Sequence, residues 1–260
     1  MASSRKIREL AWQFGLIGAL FAAWQISATV SPAPYLPKLQ AVFTSFVNLM
    51  HGNLLFSAVL PSLYRFALGF GVAVVLGSLI GLTLGYLRGL NDWVRPVLEY
   101  LRFLPTVAIL PAALLLFGAT DAMRVFVIAF GSIFPVIIAA MDGARRVDQV
   151  LIDVARVNGL TVSERIVRVI LPAALPAIFA GIRIALSIAL VMMVISELIA
   201  SNNGLGHFIL RSQRLFQTAN VYAGVLLLGC IGLVLTTCML AIEGRVLAWY
   251  KGWRGAADAV

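Results

Sequence analysis

Charged residues are scarce in this sequence. Only 12% of its 260 residues are Asp, Glu, Lys or Arg, whereas 61% are hydrophobic, and the mean hydropathy is +0.98. A soluble domain carries about 25% charged residues, so this chain has too few polar side chains to cover the surface of a soluble core. The composition therefore excludes a soluble globular protein and predicts one that lies in membrane lipid.

Cysteine and histidine are also rare, with two residues of each. Cys230 and Cys238 lie in one apolar run, and in a helix they would be about 12 Å apart along the axis, too far for a disulfide. His51 and His207 have no cysteine or carboxylate near them at the spacing of a metal site. We therefore expect no disulfide, no metal site and no cofactor in this chain.

Lysine occurs three times, at Lys6, Lys38 and Lys251, and never after a glycine. The chain thus lacks the glycine-rich loop with a lysine that binds nucleotide phosphates. It also lacks a G-x-S-x-G nucleophile elbow and a pair of carboxylates on one membrane helix. We expect no enzymatic activity, and no nucleic-acid binding either, because the net charge of +9 is scattered between apolar blocks.

Long apolar stretches fill most of the sequence. A membrane helix needs about 20 apolar residues, and six stretches qualify: 11–30, 66–88, 97–118, 123–141, 172–200 and 221–243. We predict an all-α integral membrane protein with about six transmembrane helices, forming a single transmembrane domain over residues 1–260. An amphipathic segment after residue 38 predicts a short helix on the membrane surface.

Lysine and arginine are concentrated on one side of this arrangement. One side holds Arg5, Lys6, Arg8, Arg88, Arg95, Arg102, Arg145, Arg146, Arg156, Arg165, Arg168, Arg245, Lys251 and Arg254; the other holds Lys38, Arg65, Arg124, Arg211 and Arg214. Positive residues favour the cytoplasmic side of a membrane. Both termini, including the tail 245–260, are therefore predicted to lie in the cytoplasm.

Glycine and proline mark two of the spans. Gly77, Gly81 and Gly85 recur every four residues in the second span, which predicts close packing against another helix. Pro105 and Pro111 fall in the third span, so we expect that helix to be bent or broken. The bend could line a translocation path or serve packing.

The cytoplasmic loop 142–171 is amphipathic rather than uniformly polar. One helical face of its first half holds Val147, Val150, Leu151, Val154 and Val157. Asn158 and Gly159 predict the end of that helix, and Thr161 with Glu164 predicts a capping box that begins a second. Leu171 and Pro172 are expected to open the next span. The apolar faces would either rest on the protein's own spans or the bilayer surface, or dock a partner protein.

Two ionisable residues fall inside the fifth span. Arg183 and Glu197 would be about 21 Å apart along one helix, too far to pair with each other. For Arg183 we expect a structural role, as an anchor or a donor to backbone carbonyls, or contact with a solute. Glu197 is expected either at a gate or interhelical contact, or at a solvated helix end.

Several of these residues together resemble a known family. Asp153-Val154-Ala155, Gly159 and Leu171-Pro172 have the spacing of the cytoplasmic E-A-A signature of inner-membrane permeases from bacterial ABC importers, with Asp in place of Glu. Further likeness to the nitrate, sulfonate and taurine branch lies in Leu36-Pro37, Ser62-Leu63-Tyr64-Arg65, Arg102-Phe103-Leu104-Pro105, Phe134-Pro135, Gly181-Ile182-Arg183, Glu197 and Gly204-Leu205-Gly206.

The resemblance implies a homodimeric pore in a bacterial inner membrane that imports a small, anionic solute. Two ATPase subunits, which hold ATP and Mg, would contact Asp153, Val154, Ala155, Gly159, Leu171 and Pro172, and an extracytoplasmic binding protein would deliver the solute. Candidates for the translocation path or gate are Pro105, Pro111, Arg183 and Glu197. The alternative is an ion-coupled secondary transporter or channel, for which Glu197 is the candidate intramembrane carboxylate.

Overall fold

The computed structural model of the protein describes residues 2–30, 33–51 and 53–250, which contain helices and no strand. Residues 251–260, most of the predicted cytoplasmic tail, lie outside the described part. The α-helices are α1 (Ala2–Val30), α2 (Leu39–Met50), α3 (Leu60–Tyr86), α4 (Arg88–Phe103), α5 (Leu110–Phe117), α6 (Asp121–Arg145), α7 (Gln149–Val157), α8 (Val162–Arg165), α9 (Leu171–Ala200), α10 (Leu205–Arg214) and α11 (Thr218–Val246).

Four helical stretches among the described residues are long and apolar enough to cross a membrane: Leu55–Tyr86, Asp121–Arg145, Val162–Ala200 and Thr218–Val246. A fifth candidate is the bent pair Trp93–Phe103 and Thr106–Phe117. The first predicted span, 11–30, lies in helix α1, and the part of it that the structure describes with side chains includes the apolar stretch Gly18–Val30. The all-helical membrane fold is confirmed, and the sixth crossing stays a prediction.

The third predicted span is broken, as its prolines indicated. Its two halves meet at 92°, and Pro105 lies at the break, directly before a 3₁₀ turn at Thr106–Ile109. Pro111 is in the first turn of α5, where proline fits without loss of a hydrogen bond. The segment between α3 and α6 nevertheless runs from one end of the bundle to the other. Gly85, near the end of α3, packs on the end of α6. Asp121, at the start of α6, contacts Arg65 near the start of α3.

Helices α3 and α6 run parallel and pack closely along a stripe of glycine. A Cβ added at Gly69 would meet Ile128, and one added at Gly85 would meet Ala144, in each case closer than 3.0 Å. The predicted seam of Gly77, Gly81 and Gly85 therefore serves helix packing. Small residues let two backbones approach in this way where lipid supplies no hydrophobic driving force.

Helix α9 packs antiparallel on the other side of α6. Gly143 near the end of α6 contacts Ala174 near the start of α9, and Gly131 contacts Met192 near its end. Most of the main core lies between α3, α6 and α9. A second cluster joins α2, α10 and α11, and it buries Val42 and Leu49 of the predicted amphipathic helix.

The second helix of the loop 142–171 does not end before the fifth span. A π-helical segment, Ile166–Ile170, joins α8 to α9, so that Val162–Ala200 forms one continuous helical stretch of 39 residues. Helix α9 begins at Leu171 with Pro172 in its first turn, as predicted, but it continues from α8 without a break. Pro172 has no amide hydrogen and cannot donate a hydrogen bond to the preceding turn. The wider π turn before it accommodates the proline, so the helix continues.

Candidate functional site

The sequence candidates separate into two groups at opposite ends of the bundle. We call these the Gly159 end, formed by α7 and α8, and the Glu197 end, formed by the starts of α3 and α6, the end of α9 and α10. Helix α9 alone, with 30 residues, extends about 45 Å between them. Any communication between the two groups must pass through α9 and the helices packed on it.

Side-chain caps fix where the two helices at the Gly159 end begin. Oδ1 of Asp148 accepts a hydrogen bond from the amide of Val150 at 2.9 Å. Thr161 and Glu164 form the predicted capping box, in which the Thr161 amide donates to Oε2 of Glu164 at 2.9 Å. Such caps satisfy amides that have no partner within the helix, so both starts are determined locally.

Gly159 makes the turn between these helices. Its φ is +75°, and its amide donates to the carbonyl of Arg156 at 3.0 Å while that of Leu160 donates to Ala155 at 3.1 Å. This pair of bonds is the Schellman ending of a helix, which favours glycine because of its left-handed backbone. The predicted helix end at Asn158 and Gly159 is confirmed.

The apolar face of α7 is exposed rather than packed on the bundle. Val150, Leu151, Val154 and Val157 are exposed, and Val157 is 88% exposed, whereas Ile152 and Ala155 on the opposite face are buried. Of the five apolar residues that the pattern placed on one face, only Val147 is buried. The interpretation that this face rests on the protein's own spans is therefore wrong for α7.

The six residues of the E-A-A-like signature do not form one surface. Asp153 is exposed and lies 3.4 Å from Nη1 of Arg156, and Val154 is exposed beside it. Ala155 is buried against the bundle. Leu171 and Pro172 lie in the continuous helix, about 14 Å along it from its first residue, Val162, and Leu171 packs against the core.

Glu197 is enclosed by three elements at the other end. Its side chain is 0% exposed, and Nη1 of Arg65 donates to its Oε1 at 2.8 Å. Oγ of Ser62 lies 2.8 Å from each carboxylate oxygen, and the amide of Gly206 donates to Oε2 at 2.9 Å. Glu197 is therefore a polar contact between α3, α9 and α10, and the interpretation as a solvated helix end is wrong.

Arg65 extends this contact into a cluster of four charges. It is 1% exposed, and its Nε donates to Oδ1 of Asp121 at 2.8 Å; its Nη2 also donates to the side-chain oxygen of Asn203. Arg124 donates to the same Oδ1 of Asp121 at 2.6 Å. Two arginines and two carboxylates balance their charges, and Asp121, whose side chain is 53% exposed, is the one member of the four that reaches the surface.

The turn before α10 is shaped around the Glu197 carboxylate. Gly204 has a φ of +100°, and a Cβ there would lie closer than 3.0 Å to that carboxylate. The next amide, of Leu205, donates to Oγ of Ser62 at 2.8 Å. Only glycine fits at position 204, so the loop and the cluster depend on each other.

Sequence reasoning missed most of this cluster. It counted Arg65 and Arg124 as flanking charges of one membrane side, yet both are buried, and it assigned no role to Asp121. A signal was present, because Ser62 and Arg65 are three residues apart at the start of an apolar helix and so share one face. The pairing itself joins residues more than one hundred positions apart and could not be read from local pattern.

Arg183 has a partner that the sequence did not reveal. Its Nη2 forms an ion pair with Oε2 of Glu243 on α11. Its expected partners were backbone carbonyls or solute, and the structure instead supplies a carboxylate from another helix. Neither Pro105 nor Pro111 contributes to this pair or to the Glu197 cluster, so the four path candidates are not brought together.

No group of three metal-binding side chains occurs among the described residues.

Comparison with known proteins gives consistent findings. A sequence model of the family described as "Binding-protein-dependent transport system inner membrane component" matches residues 73–250. The aliphatic sulfonates transport permease protein SsuC of Bacillus subtilis is 34% identical over 257 residues, which cover 95% of this chain and 91% of that protein. The bicarbonate transport system permease protein CmpB of Synechococcus elongatus is 32% identical over 251 residues, 92% of this chain and 87% of that protein.

A solved structure shows the same fold. An inward-facing conformation of the MetNI methionine ABC transporter contains a chain that aligns with a TM-score of 0.61 at 18% identity. The alignment covers 73% of this chain and 94% of that chain. At this level of identity the similarity concerns the arrangement of helices and not the solute.

Proposed function

The chain belongs to the family of binding-protein-dependent transport system inner membrane components, and on that premise we propose a homodimeric permease that imports a small anionic solute. It is the multi-pass permease subunit of an ABC importer, it needs no cofactor of its own, and a separate ATPase subunit hydrolyses ATP. The complete assembly in this proposal has two copies of the chain, two ATPase subunits that hold ATP and Mg²⁺, and an extracytoplasmic binding protein.

The class of solute is inferred from the relatives. SsuC is named for aliphatic sulfonates and CmpB for bicarbonate, and both solutes are anions. They differ greatly in size and share the negatively charged oxygens. We therefore propose that the solute is a small oxyanion, and we do not specify the group that carries its charged oxygens.

The orientation follows from charge. The Gly159 end carries the arginines of the loop 142–171, and we place it in the cytoplasm together with both termini. The Glu197 end then faces the outside, where the binding protein docks. This places the exposed α7 on the side where ATP is available.

The exposed apolar face of α7 carries the proposed coupling role. Val150, Leu151, Val154 and Val157 form a stripe that no other described part of the chain covers. An apolar helix face of this kind fits a groove in a partner, and we assign it to the ATPase. Asp153 lies at the edge of the stripe and contributes a polar contact, while Ala155 packs α7 on the bundle and Gly159 sets its angle.

Leu171 and Pro172 transmit the movement in this proposal. They lie where α8 joins α9 through the π segment, so a displacement of the docked helices reaches α9 without a flexible linker. The far end of α9 holds Glu197, which we propose keeps the outer gate together through Arg65. Arg183 with Glu243, and the break at Pro105 and Pro111, are the remaining candidates along the path.

Recruitment of the ATPase tests the coupling role. Val157→Asp places a charge on the stripe and should abolish copurification of the ATPase and solute uptake together, while membrane abundance stays normal. Phe216→Asp is the matched control, because Phe216 is equally exposed at 87% but lies after α10 at the Glu197 end. If Val157→Asp still binds the ATPase, the stripe faces lipid and the docking role is wrong.

A further inference from the structure

A basic cavity lies beside the Glu197 cluster. It has a volume of about 410 Å³ and is enclosed by the end of α9, the loop after it and one face of α10. The polar lining comes from Ser201, Asn202, His207, Arg211 and Arg214. None of the described residues that line the cavity is a carboxylate, so two permanent positive charges face this space without a negative charge among them.

Helix geometry explains why these residues share the cavity. His207, Arg211 and Arg214 are four and three positions apart on α10, which places them on one face. The other face of α10 is anchored, because Leu205 and Ser212 are buried and Ile209 packs on Gly224 of α11. The basic face is therefore held toward the cavity by the packing behind it.

In the part of the chain that the structure describes, the two arginines have no counter-ion. Every other arginine of the Glu197 end is paired within the buried cluster, whereas Arg211 and Arg214 form no ion pair with any residue that the structure describes. Arginine presents a rigid fork of donors that matches the oxygens of carboxylate, sulfonate and similar oxyanions. An unpaired arginine pair in a cavity is thus suited to a small oxyanion from solution.

The floor of the cavity is kept in place by the buried cluster. Oγ of Ser201 and the carbonyl of Asn203 each lie 3.4 Å from Nη1 of Arg65. Asn202, between them, is exposed toward the cavity. The loop is therefore rigid on one side and available to a ligand on the other.

An uncovered stripe of α9 leads away from the cavity. Ile184, Ser187, Val191 and Ile199 are exposed along one face, and Ile199 lines the basic cavity while Ile184 lines a second cavity near Arg102. In the homodimer of the proposed function, this stripe would border the space between two copies. The basic cavity then stands where a solute enters that space.

We propose that the cavity formed by His207, Arg211, Arg214 and the loop at Ser201–Asn202 is an entry site for the transported oxyanion. Its arginines receive the negatively charged oxygens of the solute as the binding protein releases it. The inference rests on the proposed function and adds the site at which solute charge is recognised. A phospholipid headgroup offers the same phosphate-like chemistry and is the competing occupant.

A cysteine reporter measures the charge of the cavity in the assembled transporter. In the complete complex in liposomes, Cys230→Ser and Cys238→Ser remove the native thiols, and Asn202→Cys supplies the reporter. We expect it to react faster with an anionic than with a cationic methanethiosulfonate. The ratio of the two rates should fall about tenfold when Arg211→Gln and Arg214→Gln are added. Lys38→Gln, which removes an exposed charge outside the cavity, should leave the ratio unchanged.

Protection of the reporter identifies the occupant. Methanesulfonate or bicarbonate should slow its reaction with a neutral reagent, and the two Arg→Gln changes should abolish that protection. An unchanged rate ratio, or no protection by either anion, overturns the proposal. Protection that follows the phosphatidylglycerol content of the liposomes instead of the added anion assigns the cavity to lipid and also overturns it. Uptake by the unaltered complex is measured in parallel, because its absence would count against the proposed function rather than against this site.

Discussion

Arg65 and Glu197 form the interaction on which the Glu197 end depends most. Both side chains are buried, at 1% and 0% exposure. Removing one member of such a pair leaves an uncompensated charge, which costs about 3–5 kcal/mol. Removing both residues leaves no buried charge in this pair, and the loss of folding stability is then much smaller.

A double-mutant cycle tests this dependence. We expect Arg65→Met and Glu197→Met to lower the unfolding temperature of the detergent-solubilised permease strongly when made singly. The double variant should recover most of that loss, because two methionines fill similar volume without an unpaired charge. Additive effects of the two changes, measured by thermal unfolding, would show that the two residues do not interact.

Gly159 is a second position at which one residue controls local structure. Nothing lies within 4 Å of a Cβ added there, so a substitution acts only through the positive φ. Gly159→Val should cost about 1–2 kcal/mol locally and reduce ATPase binding and uptake together. Gly159→Asn is the matched control, because asparagine tolerates the left-handed region. Equal loss in both variants, measured by ATPase copurification, would contradict a conformational cause.

At the scale of helices, the glycine stripe of α3 determines how closely α3 and α6 pack. A Cβ at Gly81 would lie closer than 3.0 Å to the backbone of α6 near Ile137, whereas one at Gly71 has nothing within 4 Å. Gly81→Ala should therefore destabilise the permease by about 1–3 kcal/mol through overpacking. Gly71→Ala, on the same helix, should be neutral or slightly stabilising. The measurement is the thermal unfolding midpoint of each variant. Equal midpoints for Gly81→Ala and Gly71→Ala would contradict the close approach of α3 to α6 at Gly81.

The elements that the sequence predicted correctly are those whose signal is local. The capping box at Thr161, the helix end at Gly159 and the break at Pro105 each depend on a few neighbouring residues, and each is present. The join of α8 to α9 was missed because a π segment has no marker comparable to a proline or glycine. Whether the apolar face of α7 packs on the bundle was left open by the sequence, because the pattern of apolar residues alone does not reveal that Ile152 and Ala155 make this contact instead.

The candidate site was less predictable than the fold because its contacts join residues that are far apart in the sequence. Glu197 stood out because a carboxylate in an apolar helix is rare, but its partners come from α3, α6 and the turn before α10. Arg65 could equally have been an interfacial charge, since flanking arginines are common at membrane surfaces. Only the tertiary arrangement distinguishes a buried ion pair from a solvated charge.

At the scale of the whole molecule, the two ends of the bundle differ in what they expose and what they bury. The Gly159 end exposes apolar side chains of α7, whereas the Glu197 end buries the ion pair of Arg65 with Glu197. A proton-coupled carrier needs a carboxylate that exchanges protons with water during each cycle. Glu197 is instead saturated by Arg65, Ser62 and the Gly206 amide, so it is built for a fixed contact.

The energy source of uptake follows from this arrangement. In vesicles that contain the complete complex and a constant internal ATP concentration, a proton carrier that collapses the proton gradient should leave the rate of uptake unchanged. Removal of ATP with the gradient intact should abolish it, because in the proposed assembly the ATPase drives the change of conformation. Uptake that stops on collapse of the gradient at constant ATP would instead assign an ion-coupling role to Glu197 or Glu243, two carboxylates of membrane-spanning helices that pair with arginine.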